Sequence, residues 1–414
     1  MASTTLTADV IAKEALAIVE NELGWVKKIH RAYEDEFDQK VNGYRVGDTI
    51  SIRRPEDGTV RTGATMNTDD VIEGKVTLTI DQQIGTDFQF SNTDLTLKID
   101  DLSERVIKPR MMNMINYMAN DVATVMYKGL YHWAGTAGQT INSFADFAKG
   151  PERLDEMAVP QSDRCAILSP TDHWALAGAA VSLNNTGAES GAYRRGSLGM
   201  IGGVDTYMSQ LVPTHTNGTA DNTTPLVKGA SQTTTYDTVK NTWTGSLDTD
   251  GWDTVSTLTA GTVFTIDGVY MVNPRTKATT TVLQPFVITA NVTAQATTTN
   301  STTLTISPPI IVSGPHQTVN AAPANDATIT VLGSASTGYK QNMVFHKGVM
   351  ALACVPRARP AGVSDWSSQS YKGFSVSVEP VRDGRNDISM WRLDMIYGRK
   401  VIDPRLGTRL SGTS

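Results

Sequence analysis

Composition changes abruptly in the middle of the chain, between residues 214 and 339. Roughly a quarter of this segment is Thr, Glu is absent, and its basic residues are limited to Lys228, Lys240, Arg275 and Lys277. Apolar runs of strand length follow one another there, among them TVFTIDGVYMV, QPFVITANV and TLTISPPIIV. Thr favours strands because its branched side chain fits a pleated, half-exposed surface. The segment is therefore predicted to be an all-β unit set into a chain of different character.

Helical periodicity marks two stretches outside this segment. Apolar residues recur at three- and four-residue steps from Thr7 to about Phe37, where Gly24 should break or bend the predicted helix. Two interpretations of this helix are open: it covers its own domain, or it is an arm that docks on a partner. A second helix should run from Pro109 to near Gly129. Its methionine-rich stripe is expected to fill a core, although an adaptable binding groove would use the same residues.

Strand-like alternation of apolar and polar residues follows the first helix, from Gly47 to Leu97. A polar, turn-rich excursion from Pro55 to Gly74 lies within it. A lone hairpin is marginally stable in water, so one of this length should lie on a neighbour; a mobile surface loop is the alternative. Mixed α/β character is predicted from Gly150 to Val212, and strand alternation returns in GFSVSVEPV and SMWRLDMIYG. The final residues, LGTRLSGTS, are expected to fray.

Length and charge exclude several classes of protein. A chain of 414 residues needs two or three packing units. A net charge of −6 without a polybasic block argues against tight, sequence-independent DNA binding. The chain has two cysteines, which fits a reducing cytoplasm. Neither a secretory signal nor a run of membrane-spanning length appears, so no membrane partner is expected.

Local motifs do not assemble a metal or cofactor site. The six histidines are scattered, and neither cysteine lies near the other. The acidic stretch from Asp248 to Asp253 superficially resembles a calcium loop, but its spacing is not that of an EF-hand. We expect a turn between strands there, and neither a metal nor a cofactor.

A catalytic interpretation of the sequence SPTDHW is also disfavoured. Ser169, Asp172 and His173 are close in sequence, but a triad needs orienting contacts that are assembled in space. Helix capping by Ser169 or Thr171 is the better explanation. We expect that the protein is not an enzyme.

Several blocks of sequence, in this order along the chain, resemble the Salmonella-phage-type coat protein family of short-tailed phages. They are LTADVIAKEALAIVENEL, GDTISIRRP, DLTLKIDDLSERVIKPRM, INSFADFAKGPERLDEMAVP, GMIGGVDTYMSQLVPTHTNG and WRLDMIYGRKVIDPRLGTRL. Across about 214–339 only the position and the β character match. The resemblance implies an α+β fold, the tailed-phage and herpesvirus capsid (Johnson) fold, with an inserted all-β domain. It implies a major capsid protein that self-assembles, through a scaffolded procapsid, into the icosahedral shell around a double-stranded DNA genome.

The resemblance also divides the chain into segments with expected roles. These are an N-terminal helical arm (1–40), the E-loop and peripheral-domain strands (41–99), the spine helix and its connection (100–149), the first part of an axial domain (150–213), the inserted β domain (214–339), the second part of the axial domain (340–379), and the peripheral-domain return with a C-terminal tail (380–414). The E-loop, from about Val46 to Ile80, is expected to lie on the neighbouring subunit.

Three sets of charged residues are expected at contacts between proteins. The first pairs the E-loop root with acidic residues of a neighbour, namely Arg53, Arg54 and Arg61 with Asp100, Asp101 and Glu104. Solvated surface charge is the alternative for each of these. The second set, on the arm, would meet the basic end of a scaffolding protein: Asp9, Glu14, Glu20 and Glu22. The third, in the acidic loop of the inserted domain, would bridge neighbouring capsomers: Asp248, Asp250 and Asp253.

The implied partners are copies of the chain itself in pentamers and hexamers, a scaffolding protein, a portal protein, and packaged DNA through weak, non-specific contact. The shell would assemble in the host bacterial cytoplasm. A β-rich virion decoration protein or adhesin is the competing class, suggested by the Thr-rich segment alone. That class leaves both predicted helices unexplained, and an enzyme is the third option.

Overall fold

The computed structural model describes residues 8–22, 24–30, 40–41, 44–45, 49–54, 57–58, 63–64, 71–91, 103–182, 198–220, 224–253, 256–295, 301–359, 366–371, 374–386 and 388–413. The chain divides into two compact units. The first contains Met1–Ser51, Thr77–Val122 and Met350–Lys400, and the second contains Ile52–Val76, Ala123–Val349 and Val401–Ser414.

The helices of the described residues are α1 (Ala8–Glu22), α2 (Lys108–Gly129), α3 (Phe144–Glu156), α4 (Pro170–Ser182) and the one-turn α5 (Tyr236–Val239). Short 3₁₀ turns span Gly24–Lys28, Lys347–Val349 and Pro404–Leu406, and a π-helical turn spans Ser103–Ile107.

The first strands are β1 (Lys40–Val41), β2 (Tyr44–Arg45), β3 (Thr49–Arg53), β4 (Lys75–Thr79), β5 (Gln82–Ser91), β6 (Trp133–Ala134), β7 (Arg164–Leu168), β8 (Met200–Ile201), β9 (Val204–Met208) and β10 (Thr214–Thr216). The central strands are β11 (Leu226–Val227), β12 (Gly245–Asp250), β13 (Thr257–Leu258), β14 (Val263–Val272), β15 (Thr279–Ile288), β16 (Val292–Thr293), β17 (Thr302–Ser307), β18 (Ile329–Val331) and β19 (Gly338–Lys340). The last are β20 (Asn342–His346), β21 (Met350–Val355), β22 (Ser367–Tyr371), β23 (Phe374–Asp383), β24 (Ile388–Val401) and β25 (Gly407–Leu410).

Helix α1 ends earlier than its periodicity predicts. It stops at Glu22, and Gly24 has a φ of +52°, a left-handed conformation that glycine adopts without steric cost. The predicted break at Gly24 is therefore confirmed, whereas most of the predicted continuation to Phe37 lies outside the described residues. The apolar face of α1, with Ile11, Ala15 and Val19 buried, packs on β22 and β23 of the first unit. Of the two interpretations of this helix, the structure supports the one in which it covers its own domain.

Helix α2 confirms the second helix prediction. Pro109 is its second residue, directly after the π-helical turn Ser103–Ile107. The methionines of its stripe are buried, so they fill a core as expected: Met111, Met114, Met118 and Met126.

The first unit is built on a five-stranded sheet in the order β21-β24-β23-β22, with β5 paired to β24. The β5–β24 ladder is antiparallel and runs from Ser91↔Ile388 to Gln82↔Tyr397.

Strands β3 and β4 form a separate two-stranded hairpin. Its residues alternate as predicted, with Ile50, Ile52, Val76 and Leu78 buried on one face.

The second unit contains a six-stranded sheet in the order β6-β25-β20-β7-β9-β8. Helix α3 packs on it through Phe147 and Leu154, which share a core with Val344 and Leu410. The expectation that the C-terminal residues fray is wrong for β25, because this strand is paired on both sides, with β20 and with β6. All four of its residues are buried.

The central β unit, residues 214–340, has its own six-stranded sheet in the order β11-β12-β17-β15-β14-β18. Its core is made of apolar side chains that include Val227, Leu247, Phe264, Phe286, Leu304 and Ile329. The chain enters and leaves this unit through the antiparallel pair β10–β19, in which Thr214 lies opposite Lys340. The described part of the segment thus has the predicted β character, apart from the single turn of α5.

The expected acidic turn is wrong at its first two residues. Asp248 and Asp250 lie on β12, which is paired with both β11 and β17. The Asp248 carboxylate accepts a hydrogen bond from the Thr303 hydroxyl at 2.5 Å. Cross-strand pairing to the Thr-rich β17 therefore outweighs the turn propensity of Asp, and Asp253 follows after the strand ends.

Candidate assembly site

Three segments of the second unit meet beside the hairpin β3–β4. Arg54 and Asp57 lie just after β3. The central β unit contributes the rings of Tyr236, Trp243 and His316, and the C-terminal 3₁₀ turn contributes the ion pair between Asp403 and Arg405. We call this set the root cluster, which consists of Arg54, Asp57, Tyr236, Trp243, His316, Asp403 and Arg405.

Arg405 is the hub of the root cluster. Its Nη1 donates to Asp57 Oδ2 at 2.8 Å, and its Nε and Nη2 donate to the two oxygens of Asp403 at 3.0 and 2.8 Å. Asp403 also caps the 3₁₀ turn by accepting the Arg405 backbone N–H at 3.1 Å. The charge of Asp403 raises the pKa of Arg405. Burial alone would raise the pKa of Asp403, but the Arg405 guanidinium overcomes burial and holds that pKa below its ordinary value.

The Trp243 ring packs against both arginines of the cluster. The guanidinium carbons of Arg54 and Arg405 lie 5.4 and 5.8 Å from the centre of its ring, within the range of cation–π attraction. The Tyr236 ring packs edge-on against Trp243 and stacks on His316 with centroids 3.6 Å apart. Burial lowers the pKa of His316 to about 4, so this imidazole is neutral near pH 7. Burial also lowers the pKa of Arg54.

Backbone contacts fix the returning strand of the hairpin at the same place. The Arg54 N–H donates to the Gly74 carbonyl at 2.8 Å, and the Lys75 N–H donates to Asn241 Oδ1 at 3.1 Å. A Cβ atom at Gly74 would lie 2.4 Å from the Lys240 carbonyl oxygen, so this approach requires glycine. The root of the hairpin is therefore attached to the central β unit of its own chain.

A second attachment, at Arg409, joins β25 to the base of the central β unit. This fully buried guanidinium donates to the Gly261 carbonyl at 2.7 Å and to Gln341 Oε1 at 3.3 Å. It lies 5.3 and 5.8 Å from the ring centres of Tyr127 and Trp133. Burial lowers the pKa of Arg409 to about 9. Arg409 could not be predicted from the sequence, because a lone Arg in a polar tail carries no signal of burial.

The residues predicted at the E-loop root have separate environments. Arg53 forms an exposed ion pair with Glu73 of the same hairpin at 2.9 Å, and Arg54 belongs to the root cluster. Arg61, the third arginine of this root, lies outside the described residues, and so do the predicted acidic partners Asp100 and Asp101 and the side chain of Glu104. The contacts of these residues with a neighbouring subunit stay predictions.

The acidic residues of α1 are described only in part. Asp9 pairs with Lys13 at 2.8 Å, which lowers its pKa, and accepts hydrogen bonds from Ser367 and Gln369 of β22. Glu14 is exposed, whereas the side chains of Glu20 and Glu22 lie outside the described residues. Their contact with a scaffolding protein stays a prediction.

Ser169 is a helix cap. Its hydroxyl donates to Asp172 Oδ2 at 2.6 Å and accepts the Asp172 backbone N–H at 3.3 Å, as predicted for the start of α4. Asp172 is also bound by Asn342 Nδ2 at 2.8 Å. Among the described residues, no group of His, Cys, Asp and Glu side chains is arranged to hold a metal ion. Within that same part of the chain, no helix is long and apolar enough to cross a membrane.

Comparison with known proteins identifies the family. A family described as P22 coat protein, gene protein 5, matches residues 2–412. The chain belongs to this P22 coat protein family. The major capsid protein of Acyrthosiphon pisum secondary endosymbiont phage 1 is 22% identical over 385 residues, which cover 88% of this chain and 89% of that protein.

Solved structures of phage capsid proteins are also similar. A Mycobacterium phage Che8 chain is 13% identical with a TM-score of 0.49, covering 93% of this chain and 89% of its own. The capsid chain of Ralstonia phage GP4 is 10% identical with a TM-score of 0.41, covering 93% and 86%. The CUS-3 coat protein I-domain is 28% identical with a TM-score of 0.20, covering 27% of this chain and 96% of that domain.

Membership of this family confirms the resemblance seen in the sequence blocks. The protein is a major capsid protein of a tailed phage, with the α+β capsid (Johnson) fold, and it self-assembles into the shell of the virion. The decoration and adhesin alternative is not supported.

Proposed function

We propose that the hairpin β3–β4 is the E-loop through which each subunit of the shell grips its neighbour, and that the root cluster sets the direction in which it leaves its own subunit. One observation carries this proposal. The root is fixed by Arg405 and Trp243, whereas Val71, three residues before Gly74, has 73% of its surface exposed. An exposed apolar side chain on a lone hairpin gains stability when another surface covers it.

A fixed root lowers the entropic cost of assembly. Because the root of the hairpin does not have to be ordered on docking, more of the contact energy remains for association. Fully burying one Val side chain contributes about 1.5–3 kcal/mol, so each such contact is weak enough to break and form again. Weak, repeated contacts let a closed shell correct errors while it grows.

The other roles in this proposal follow from the family and from exposed charge. Arg53 is exposed beside Glu73 and is a candidate to contact an acidic residue of the neighbouring subunit. Asp9 and Glu14 are candidates to contact a basic segment of the scaffolding protein. We further propose that the subunits form pentamers and hexamers and that a procapsid assembles in the host cytoplasm. A portal protein would be a further partner, and the inner wall of the shell would interact only weakly with the packaged DNA. The acidic chain, with net charge −6, suits such a wall. In this proposal the protein is not an enzyme, and the central β unit bridges capsomers near Asp253.

The experiment compares Val71→Asp with Thr276→Asp, an exposed control in a turn of the central β unit. Each chain is produced in a host that supports assembly, and particles are counted by electron microscopy. Val71→Asp should leave the unfolding midpoint of the monomer unchanged and abolish closed shells, because a charge cannot be buried at the contact. The control should assemble normally. Normal shells from Val71→Asp would refute the hairpin contact.

A further inference from the structure

A small, partly open cavity lies next to the root cluster, within the second unit. Its wall includes Asp57, Trp243, Lys277, His316 and Arg405. It offers about 20 Å³ for the centre of a water-sized occupant, above the roughly 10–15 Å³ that one such occupant needs. The cavity can therefore hold one small molecule or ion.

Charge around the cavity does not balance. Arg405 lies between two carboxylates, Asp57 and Asp403, and these satisfy it. Of the charged groups, Lys277, Arg405 and Asp57 line the cavity itself, and Arg54 and Asp403 lie next to it in the root cluster. Together these groups make three cations and two carboxylates. His316 adds no charge near pH 7, because burial lowers its pKa to about 4. One positive charge is left over in a poorly solvated place, where a counter-charge is worth more than in water.

Two hydrogen-bond donors beside the cavity lack an acceptor. The indole Nε1 of Trp243, in a side chain that is 95% buried, has no acceptor among the described protein atoms, and neither has Arg54 Nε. The Lys277 ammonium donates to the Pro315 carbonyl and has two further N–H groups. A buried donor without an acceptor costs about 1–3 kcal/mol, so an acceptor in the cavity is strongly favoured.

We propose that this cavity binds a small monovalent anion of the halide class, held by the Lys277 ammonium and the Trp243 indole N–H. A water molecule would accept the orphan hydrogen bonds but would leave the extra positive charge uncompensated. The anion would lock the central β unit to the C-terminal turn beside the hairpin. The ionic composition of the medium would thereby act on the element that we assign to assembly.

The test uses the full-length protein before assembly, so it does not depend on shell formation. Urea unfolding is measured in increasing potassium chloride, with potassium glutamate holding the ionic strength constant, because glutamate is too large for the cavity. Above the chloride Kd, the unfolding equilibrium constant of the wild type should fall about tenfold for each tenfold rise in chloride. Bromide should act in the same way, and its NMR line should broaden in the presence of the protein.

The matched variants are Lys277→Met and Arg275→Met, which remove a cavity cation and an exposed cation two residues away. Lys277→Met should lose the chloride dependence and the bromide broadening, whereas Arg275→Met should keep both. General salt effects cancel in this comparison. If Lys277→Met does not fold, Lys277→Gln takes its place. Equal unfolding of the wild type in chloride and glutamate, or a chloride effect that survives in the Lys277 variant, would overturn the proposal.

Discussion

Truncation of Asp403 to alanine is the sharpest perturbation of the root cluster. The carboxylate accepts side-chain hydrogen bonds from Arg405 Nε and Nη2 and caps the turn through the Arg405 backbone N–H. Removing one partner of a buried ion pair costs about 3–5 kcal/mol, because the remaining charge is left uncompensated. The side chains of Arg405 and Asp403 are still 21% and 16% exposed, and Asp57 stays within 2.8 Å of Arg405, so we expect no more than the lower end of this range, about 3 kcal/mol. That value corresponds to a change of about a hundredfold in the unfolding equilibrium constant.

The assay is urea unfolding of the unassembled protein, read as a fall in the midpoint at an unchanged slope. The matched control is Arg53→Ala, which breaks an ion pair whose side chains are 78% and 51% exposed and should cost no more than about 1 kcal/mol. The double variant Asp403→Ala with Arg405→Met should be less destabilised than Asp403→Ala alone, since no buried charge is orphaned. A loss within 1 kcal/mol of the control for Asp403→Ala would refute the role of Arg405 as the hub.

Two further perturbations test other parts of the fold. Gly178 lies on the exposed face of α4, where an added Cβ atom meets no other atom, so Gly178→Ala should stabilise the protein by about 0.5–1 kcal/mol. Gly218→Ala should instead destabilise the protein, because its Cβ atom would lie 1.9 Å from the Thr257 carbonyl oxygen. Thermal unfolding of both variants checks this, and equal shifts would contradict the geometry. Burial lowers the pKa of His215 to about 4, so the folded protein resists protonation of this imidazole, whereas the unfolded chain takes up the proton near pH 6.5. The free energy of unfolding should therefore fall as the pH drops from about 6.5 towards 4, by up to about 1.4 kcal/mol per pH unit for this group. His215→Gln should flatten the pH dependence of the unfolding midpoint in that window, and an unchanged slope would count against the buried neutral imidazole.

Periodicity predicted the elements whose burial pattern is regular. Helix α2 begins within one residue of the predicted start, because Pro109 and the methionine stripe both reflect local constraints. The alternation in β3 and β4 was visible for the same reason, since every second side chain faces the core. The low helix propensity of glycine predicted that α1 is interrupted at Gly24, although the sequence could not show which surface covers its apolar face.

Two polar segments were not predicted to be strands, because their strand conformation depends on pairing with residues that are distant in sequence. Thr408 and Arg409 look like part of a polar tail, but β20 and β6 pair with β25 on both sides and bury it. Asp248 and Asp250 suggest a turn, yet the facing residues of β11 and β17 hold them in a strand. The root cluster was hidden for a related reason: Arg54, Trp243 and Arg405 are far apart in sequence, and only the folded second unit brings them together.

The most direct test of the assembly account is an electron cryomicroscopy reconstruction of the particles that this chain forms. The account predicts closed shells in which the hairpin β3–β4 of each subunit lies on an adjacent subunit, with Val71 buried at the contact and Arg405 still bound to Asp57 and Asp403 at the root. Closed shells in which the hairpin projects into solvent, or a chain that binds only to preformed particles, would contradict it.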